Sequence, residues 1–329
     1  MSKSICMVGV DVGKSELWVA IADRRPRAFA HTARGVQALW RYCRRIAPEG
    51  LVHICMEATG VYSRMLAARL QRLEQADLQL SIINPARISA FAQAQLRRTK
   101  TDAVAARVIL AFAQSERPPV WTPESPALRE LYQLVRQADA VQQDLEAWNN
   151  RAGAHDDGPE RVEAVRRTDR AIRRHFQKQL AYLQDAIAAL FQREADLRRQ
   201  RDLLISIPGI GEKTAPRLLA YGGTVWETHS EKELTAYAGL APSHRQSGTS
   251  VRGKSHLAKQ GNGDLRRSLY MATLAAIRSN PVIRPHRDRL LDKGKTKMTA
   301  VGACMRHLLL IARAVLKHQT PFDPQYAAN

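Results

Sequence analysis

Short apolar runs alternate with helical patterns over the first 120 residues of this 329-residue chain. Three strand-like runs come first, and helical patterns separate the two that follow. The five runs are Ile5–Asp11, Leu17–Ala22, Arg27–His31, Leu51–Met56 and Leu78–Ile83. A meander followed by single crossover helices predicts an α/β fold, with a mixed sheet that carries helices on its faces. In such folds, functional side chains are expected at the carboxyl ends of strands.

The chain is strongly basic. It contains 51 Lys and Arg against 31 Asp and Glu, which gives a formal net charge of +20. The excess is largest in residues 241–329, which hold sixteen Lys and Arg and four Asp and Glu. This charge indicates a polyanionic partner. An apolar content of 45% is enough to bury a core and excludes a disordered basic tail.

Several protein classes are not expected from this sequence. The start MSKSICMVGVDVGKS lacks the apolar stretch of a signal peptide, and no run reaches the ~18 apolar residues that span a membrane. A soluble cytoplasmic protein without a membrane partner is therefore predicted. The four cysteines have no C-x-x-C spacing, and the ten histidines form no H-x-x-x-H pair. A zinc site is therefore not expected, and any metal would be held by carboxylates.

A proline-rich segment, Arg117–Pro126, ends the alternating pattern. Beyond it, Leu128–Trp148 and Val162–Leu204 are predicted to be long helices. The second carries apolar residues at alternating spacings of four and three: Phe176, Leu180, Leu183, Ile187 and Leu190. We predict three domains: an α/β domain over 1–120, a helical coiled-coil stalk over 121–202 and a mostly helical domain over 203–329. An oligomerisation role for the stalk is favoured over simple packing on the first domain.

Three acids stand at the ends of separate predicted elements. Asp11 ends the first strand, Glu57 follows the fourth, and Asp102 opens a helix in the segment RRTKTDAVAARVIL. If the two strands are neighbours, the acids meet at one edge of the sheet and can hold Mg²⁺ through oxygen. The alternative is a separate structural role for each: Asp11 in a turn, Glu57 on the surface and Asp102 as a helix cap.

The segment Leu203–Leu219 predicts a helix-hairpin-helix. Its turn reads Pro-Gly-Ile-Gly from Pro208, and Lys213 follows immediately before a second helix. The backbone N–H groups of Gly209 and Gly211 can approach a phosphate, and Lys213 adds positive charge. The alternative is a turn that only joins two packed helices.

A serine lies in a glycine-containing basic loop, AGLAPSHRQSGTSVRGKS. Ser247 precedes Gly248, and Arg252 and Lys254 follow closely. A serine that attacks phosphorus needs an exposed hydroxyl, loss of its proton and nearby cations that neutralise charge on the phosphate. The segment meets the first and third needs. By spacing alone, an ordinary loop serine is the favoured interpretation.

Taken together, the motifs resemble the DEDD-type transposases of the insertion-sequence family one-ten, which are bridge-RNA-guided recombinases. The similarity covers nearly the whole chain. Its motifs are GVDVGK, ICMEATGVY, IINPARISAFAQAQ, RRTKTDAVAAR, SIPGIGEKTA, YAGLAPSHRQSGTSVRGKS and LRRSLYMATLAAI. The resemblance implies an RNase H-like, RuvC-type first domain, a coiled-coil linker and a C-terminal transposase domain.

The resemblance also implies a mechanism. Asp11, Glu57 and Asp102 would bind Mg²⁺ together with a fourth aspartate, and Ser247 would form a covalent phosphoserine link with DNA. A guide RNA would pair with target and donor DNA, while the protein contacts the backbones. Dimers or tetramers would share active sites, in the bacterial cytoplasm at the nucleoid. Arg252 and Lys254 are candidate phosphate contacts because they lie close to Ser247 in the sequence.

The chain departs from the family pattern at one position. The family has aspartate three residues after the acid that matches Asp102, whereas this chain has Ala105. Loss of this carboxylate weakens a metal site, so we expect impaired catalysis. Two alternatives remain open: a RuvC-like junction nuclease that uses water, and a catalytically inactive protein that binds RNA and DNA.

Overall fold

The computed structural model describes residues 4–95, 101–157, 162–243, 246–247, 251–252, 256–258 and 260–325. Contacts divide the chain into two compact units, residues 1–123 and 124–329. The division falls in the proline-rich segment between the first-unit helices and the long helices that follow.

A five-stranded mixed sheet forms the centre of the first unit, as predicted. Its strands are β1 Ile5–Val12, β2 Glu16–Ile21, β3 Arg27–Ala30, β4 Leu51–Glu57 and β5 Leu78–Ile83. The strand order is β3-β2-β1-β4-β5. The first three strands form an antiparallel meander, whereas β4 is parallel to both β1 and β5. The carboxyl ends of β1, β4 and β5 therefore lie at one edge.

Helices cover both faces of this sheet. They are α1 Ala33–Ile46, α2 Val61–Gln71, α3 Pro85–Ala94 and α4 Asp102–Glu116. Val8 and Val10 of β1 share a buried cluster with Leu39 of α1 and Leu66 of α2. On the opposite face, Cys55 of β4 packs with buried residues of α3 and α4.

The sequence predicted a single helix after β5, but the structure has two. Asn84 and Pro85, which end the strand as expected, also begin α3. The side chain of Asn84 accepts a hydrogen bond from the Ala86 N–H at 2.9 Å, and Pro85 occupies the first turn. Asparagine before proline is therefore a helix start here, because the cap satisfies a backbone donor and proline lacks one.

Helices dominate the second unit. They are α5 Pro126–Asp157, α6 Glu163–Arg193, α7 Ala195–Ile205, α8 Ala215–Gly222, α9 Val225–Thr228, α10 Glu231–Tyr237, α11 Gly263–Ser279, α12 Ile283–Asp292 and α13 Lys297–His318. The predicted helix over 162–204 is interrupted at Glu194, whose φ and ψ of −105° and 96° are not helical. Leu190 and Phe191, just before this break, are buried in the core shared with α7 and the C-terminal helices.

Helices α5 and α6 run antiparallel to each other. His155 near the end of α5 contacts Asp169 near the start of α6, and Glu130 near the start of α5 contacts Arg193 at the end of α6. Buried residues of α5, including Leu131 and Val135, join the same core as the C-terminal helices.

The segment around Ser247 contains short strands that the sequence analysis did not predict. They are β6 Pro242–Ser243, β7 Gln246–Ser247, β8 Val251–Arg252 and β9 His256–Leu257. These strands form two antiparallel pairs, β6 with β9 and β7 with β8. In chain order, the inner pair β7 and β8 lies between the two strands of the outer pair. Ser247 pairs with Val251, so the segment is a β-hairpin and not a simple loop.

Helix α13 is long and apolar enough, by length and composition alone, to cross a membrane. Its buried side belongs to the core of the second unit, where Leu308, Leu309 and Ala312 are fully covered. This is the usual situation of a core helix and is weak evidence for a membrane span.

Candidate functional site

Asp11 and Glu57 occupy equivalent positions on adjacent parallel strands. The register pairs Val10 with Met56, and the two acids are the next residues on β1 and β4. Both are half-buried. The condition on which the sequence analysis made the meeting of these acids depend is met, because β1 and β4 are directly hydrogen-bonded.

The two acids lie on the sheet face that α4 covers. Gly9 faces α4, because a Cβ atom added there would lie 2.4 Å from the carbonyl oxygen of Ala106. Asp11 follows two residues later and shares this face, since side chains alternate along a strand. The same alternation places Glu57 on the face of Cys55, which packs with Ile109 of α4.

Asp102 is the first residue of α4, one turn before Ala106, where the helix meets Gly9. It is not the helix cap. That role belongs to Thr101, whose hydroxyl accepts a hydrogen bond from the Val104 N–H at 3.3 Å. The Asp102 carboxylate is exposed and therefore not committed to capping. The close contact of α4 with β1 holds the third acid at the same edge of the sheet.

The charges of Asp102 and Glu57 act on the carboxyl group of Asp11. Burial raises the pKa of the Asp11 carboxyl to about 6, with further contributions from the negative charges of Asp102 and then Glu57. A hydrogen bond from the Val12 backbone acts in the opposite direction. Ionised Asp11 therefore lies in an environment of excess negative charge, which a cation would relieve.

The donor set suits a hard divalent cation, since carboxylate oxygens are the ligands that Mg²⁺ prefers. In the part of the chain that the structure describes, no three His, Cys, Asp or Glu side chains are arranged to share a metal ion. Binding would require the carboxylates to move closer together than they are. The exposed position of Asp102 at a helix end leaves it free to turn.

Ala105 is half-buried in the first turn of α4. Its backbone N–H donates to the Thr101 carbonyl at 2.8 Å, so the helix is regular at this point. Residues three apart lie on the same side of a helix, which places position 105 next to Asp102. Aspartate at this position would add a fourth carboxylate to the same group.

The backbone of Ser247 and Arg252 lies in the inner strand pair of the hairpin, where Gln246 pairs with Arg252. The side chains of both residues, and the whole of Lys254, lie outside what the structure describes. Their roles therefore remain predictions from sequence.

The turn between α7 and α8 carries the other predicted nucleic-acid contacts. Gly209 has a φ of +106°, and a Cβ atom there would lie 2.5 Å from that of Ala276 on α11. Its small size is therefore required by packing as well as by backbone conformation. Gly211 has open space around its Cα, and Lys213 is exposed. These two residues are free to meet a ligand.

The sequence analysis missed His31 beside the candidate site. Its Nδ1 is 2.9 Å from the Gly13 carbonyl, and its backbone N–H donates to the Ser15 carbonyl at 2.8 Å. His31 thereby holds the turn that follows Asp11. A histidine immediately after a strand is the only signal in the sequence, and it is too common to have identified this role.

Two family models match the chain. One, described as Transposase and of the DEDD type of IS110, matches residues 8–155. The other, described as Transposase IS116/IS110/IS902 family, matches residues 201–287. The first range includes Asp11, Glu57 and Asp102, and the second includes Lys213 and Ser247.

Similar proteins extend the match to almost the whole chain. A pilin gene-inverting protein of Moraxella bovis is 32% identical over 98% of this chain and 98% of its own length. A pilin gene-inverting protein of Moraxella lacunata is 34% identical over 83% of this chain and 82% of its own. An uncharacterized 43.6 kDa protein of insertion element IS110 from Streptomyces coelicolor is 32% identical over 39% of this chain and 31% of its own.

Proposed function

Because the chain belongs to the IS110 family of DEDD transposases and is thus a DNA transposase or recombinase, we propose that it cuts and rejoins DNA strands with Mg²⁺ held by Asp11, Glu57 and Asp102. The observation that carries this proposal is geometric: Asp11 and Glu57 end adjacent parallel strands, and the contact of Gly9 with Ala106 holds the start of α4, with Asp102, at the same edge. Mg²⁺ held by these three acids would supply positive charge that polarises the scissile phosphate and stabilises its developing negative charge.

To hold a cation, the three acids must also be ionised. With a pKa of about 6, Asp11 is mostly ionised at pH 7 even without a cation. The contact between α4 and β1 keeps Asp102 near the strand ends, and His31 holds the turn after Asp11. These contacts would hold the three acids at one edge of the sheet, from which their carboxylates would close around a cation.

Ser247 is the proposed nucleophile. Its Oγ forms a bond to phosphorus, the bond from phosphorus to one DNA oxygen breaks, and that oxygen leaves as a hydroxyl with a proton. A hydroxyl of another DNA strand then attacks the phosphoserine and releases Ser247, so no phosphodiester is lost. Arg252 and Lys254 would neutralise charge on the phosphate. The relatives named for inverting a pilin gene support rejoining over simple hydrolysis.

We propose that a guide RNA selects the DNA sites by pairing with target and donor DNA. The protein would contact backbones, through the N–H groups around Gly209 and Gly211 and through Lys213. The excess positive charge of the whole chain supports contact between the protein and nucleic-acid backbones. We further propose that the long helices α5 and α6 form a coiled coil that assembles dimers or tetramers, and that the protein acts in the cytoplasm.

The proposal is tested by strand exchange on DNA carrying donor and target sites, with the guide RNA and Mg²⁺ present. Wild type is expected to be weakly active because position 105 is alanine. Ala105→Asp is expected to raise the yield of joined product by an order of magnitude or more. In that background Ser247→Ala is expected to abolish it, whereas the matched control Ser250→Ala retains it.

Two results would contradict the proposal. If Ala105→Asp cleaves DNA and Ser247→Ala still does so, water is the nucleophile and the chain is a junction nuclease. If Ala105→Asp neither cleaves nor exchanges strands but binds RNA and DNA, the chain is a binding protein without catalysis.

A further inference from the structure

Helix α6 carries a row of cations on the side that faces away from α5. We call Arg167, Arg170, Arg174 and Lys178 the basic row. All four are exposed, and their spacings of three, four and four residues place them along one side of the helix. Tyr182 lies one further turn along and is 69% exposed.

The opposite side of α6 is occupied by α5. Asp169 is 4% exposed, and its carboxylate lies 3.1 Å from Nδ1 of His155 on α5. Partly buried Phe176 and Leu180 follow on the same side at helical spacing. The basic row is about half a turn from these residues, so the intramolecular packing of α6 leaves it uncovered.

Little negative charge compensates the basic row. Arg170 pairs with the exposed Glu163, but Arg167, Arg174 and Lys178 form no ion pair with the side chains that the structure describes. Between residues 164 and 184 the only acid in the sequence is Asp169, which points to α5. Cations on one face without partners are the electrostatic pattern of a polyanion-binding surface.

We propose that the basic row binds the sugar–phosphate backbone of duplex DNA. The first and last members of the row are eleven residues apart, or about 16 Å along the helix, which is comparable to several phosphates along one DNA strand. A second copy of this chain is disfavoured as the occupant, because two such rows would repel each other. DNA is the polyanion on which a transposase acts, and the exposed Tyr182 hydroxyl adds a donor suited to phosphate.

This surface lies outside both ranges matched by the family models, 8–155 and 201–287. Its contacts would be independent of DNA sequence. The proposal requires DNA as substrate, but it does not depend on Ser247 or on the three acids. A binding measurement without strand exchange therefore separates its failure from failure of the proposed function.

The test compares two triple variants of the full-length chain. One carries Arg167→Ala, Arg174→Ala and Lys178→Ala. The control loses the same charge from exposed arginines elsewhere on α5 and α6, through Arg129→Ala, Arg136→Ala and Arg193→Ala. Binding of a labelled 30-base-pair duplex is measured from 50 to 200 mM salt, and circular dichroism checks that each variant is folded.

Loss of three phosphate contacts is expected to reduce the slope of log affinity against log salt by about 2 to 3. At about 0.1 M salt this corresponds to a loss of affinity on the order of 10²-fold, whereas the control changes by only a few-fold. Arg167→Lys with Arg174→Lys is expected to retain most of the binding. Equal losses in both triple variants would overturn the proposal, as would loss of binding to structured RNA with duplex DNA binding unchanged.

Discussion

Gly9 on β1 lies directly beneath Ala106 on α4, with no room for a side chain between them. This contact brings the start of α4, and with it Asp102, to the strand end that carries Asp11. The arrangement of the candidate metal site therefore depends on a residue that has no side chain.

We predict that Gly9→Ala destabilises the first unit. The new Cβ would lie 2.4 Å from the Ala106 carbonyl oxygen, so α4 must move, at a cost of roughly 1–3 kcal/mol. The control is Gly153→Ala in α5, where a Cβ meets nothing within 4 Å and helix propensity predicts a gain of up to ~1 kcal/mol. Urea unfolding measures both. Equal stability of Gly9→Ala and wild type would show that α4 is not held by this contact.

We predict that Asp11→Asn raises the melting temperature at pH 7 in the absence of divalent cations. The folded-state pKa of about 6 lies above the unfolded value of 3.8, so protonated Asp11 favours folding. This stabilisation is complete below about pH 4 and is lost as the pH rises through about 6. The advantage of Asp11→Asn should therefore grow from pH 4 to pH 7. Glu49→Gln, which removes one acid at an exposed loop position, is the control, and an equal trend in both variants would contradict the prediction.

We predict that Mg²⁺ raises the melting temperature of wild type at pH 7 and does so less at pH 5, where Asp11 is protonated. Glu57→Gln should abolish the shift, and Ala105→Asp should enlarge it by adding a carboxylate. Differential scanning calorimetry with millimolar MgCl₂ measures these changes. A shift that persists in Glu57→Gln would place the bound cation elsewhere.

Some of these structural features could be predicted from the sequence, and others could not. The strands and the acids at their ends could be predicted, because both depend on local apolar runs that end in acids. The order of the strands in the sheet could not, because it depends on pairing between distant segments. The hairpin around Ser247 could not be, since its strands are two residues long and have no apolar alternation. The helix break at Glu194 could not be predicted from the sequence either, because the helical spacing of apolar residues continues beyond it. Phe191 and Leu197, on either side of the break, are both buried in the second-unit core.

Asp139 on α5 joins two residues of α8, which the sequence did not suggest. Its carboxylate accepts hydrogen bonds from Arg217 at 2.7 Å and from the Tyr221 hydroxyl at 2.8 Å. We predict that Asp139→Ala destabilises the second unit by about 2–4 kcal/mol, because a half-buried guanidinium and a buried hydroxyl lose their partner. Asp144→Ala, exposed on the same helix, should cost less than about 0.5 kcal/mol. Equal costs in urea unfolding would refute a structural role for this cluster.

The central claim, that Ser247 bonds covalently to DNA when Mg²⁺ occupies the three-acid site, is tested most directly by mass spectrometry. Ala105→Asp is incubated with RNA, DNA and Mg²⁺, denatured, and digested with nuclease and protease. The account predicts a peptide in which Ser247 carries a nucleotide through a phosphodiester, and its absence in Asp11→Asn. A nucleotide on another residue, or cleaved DNA with no modified peptide, would contradict the account.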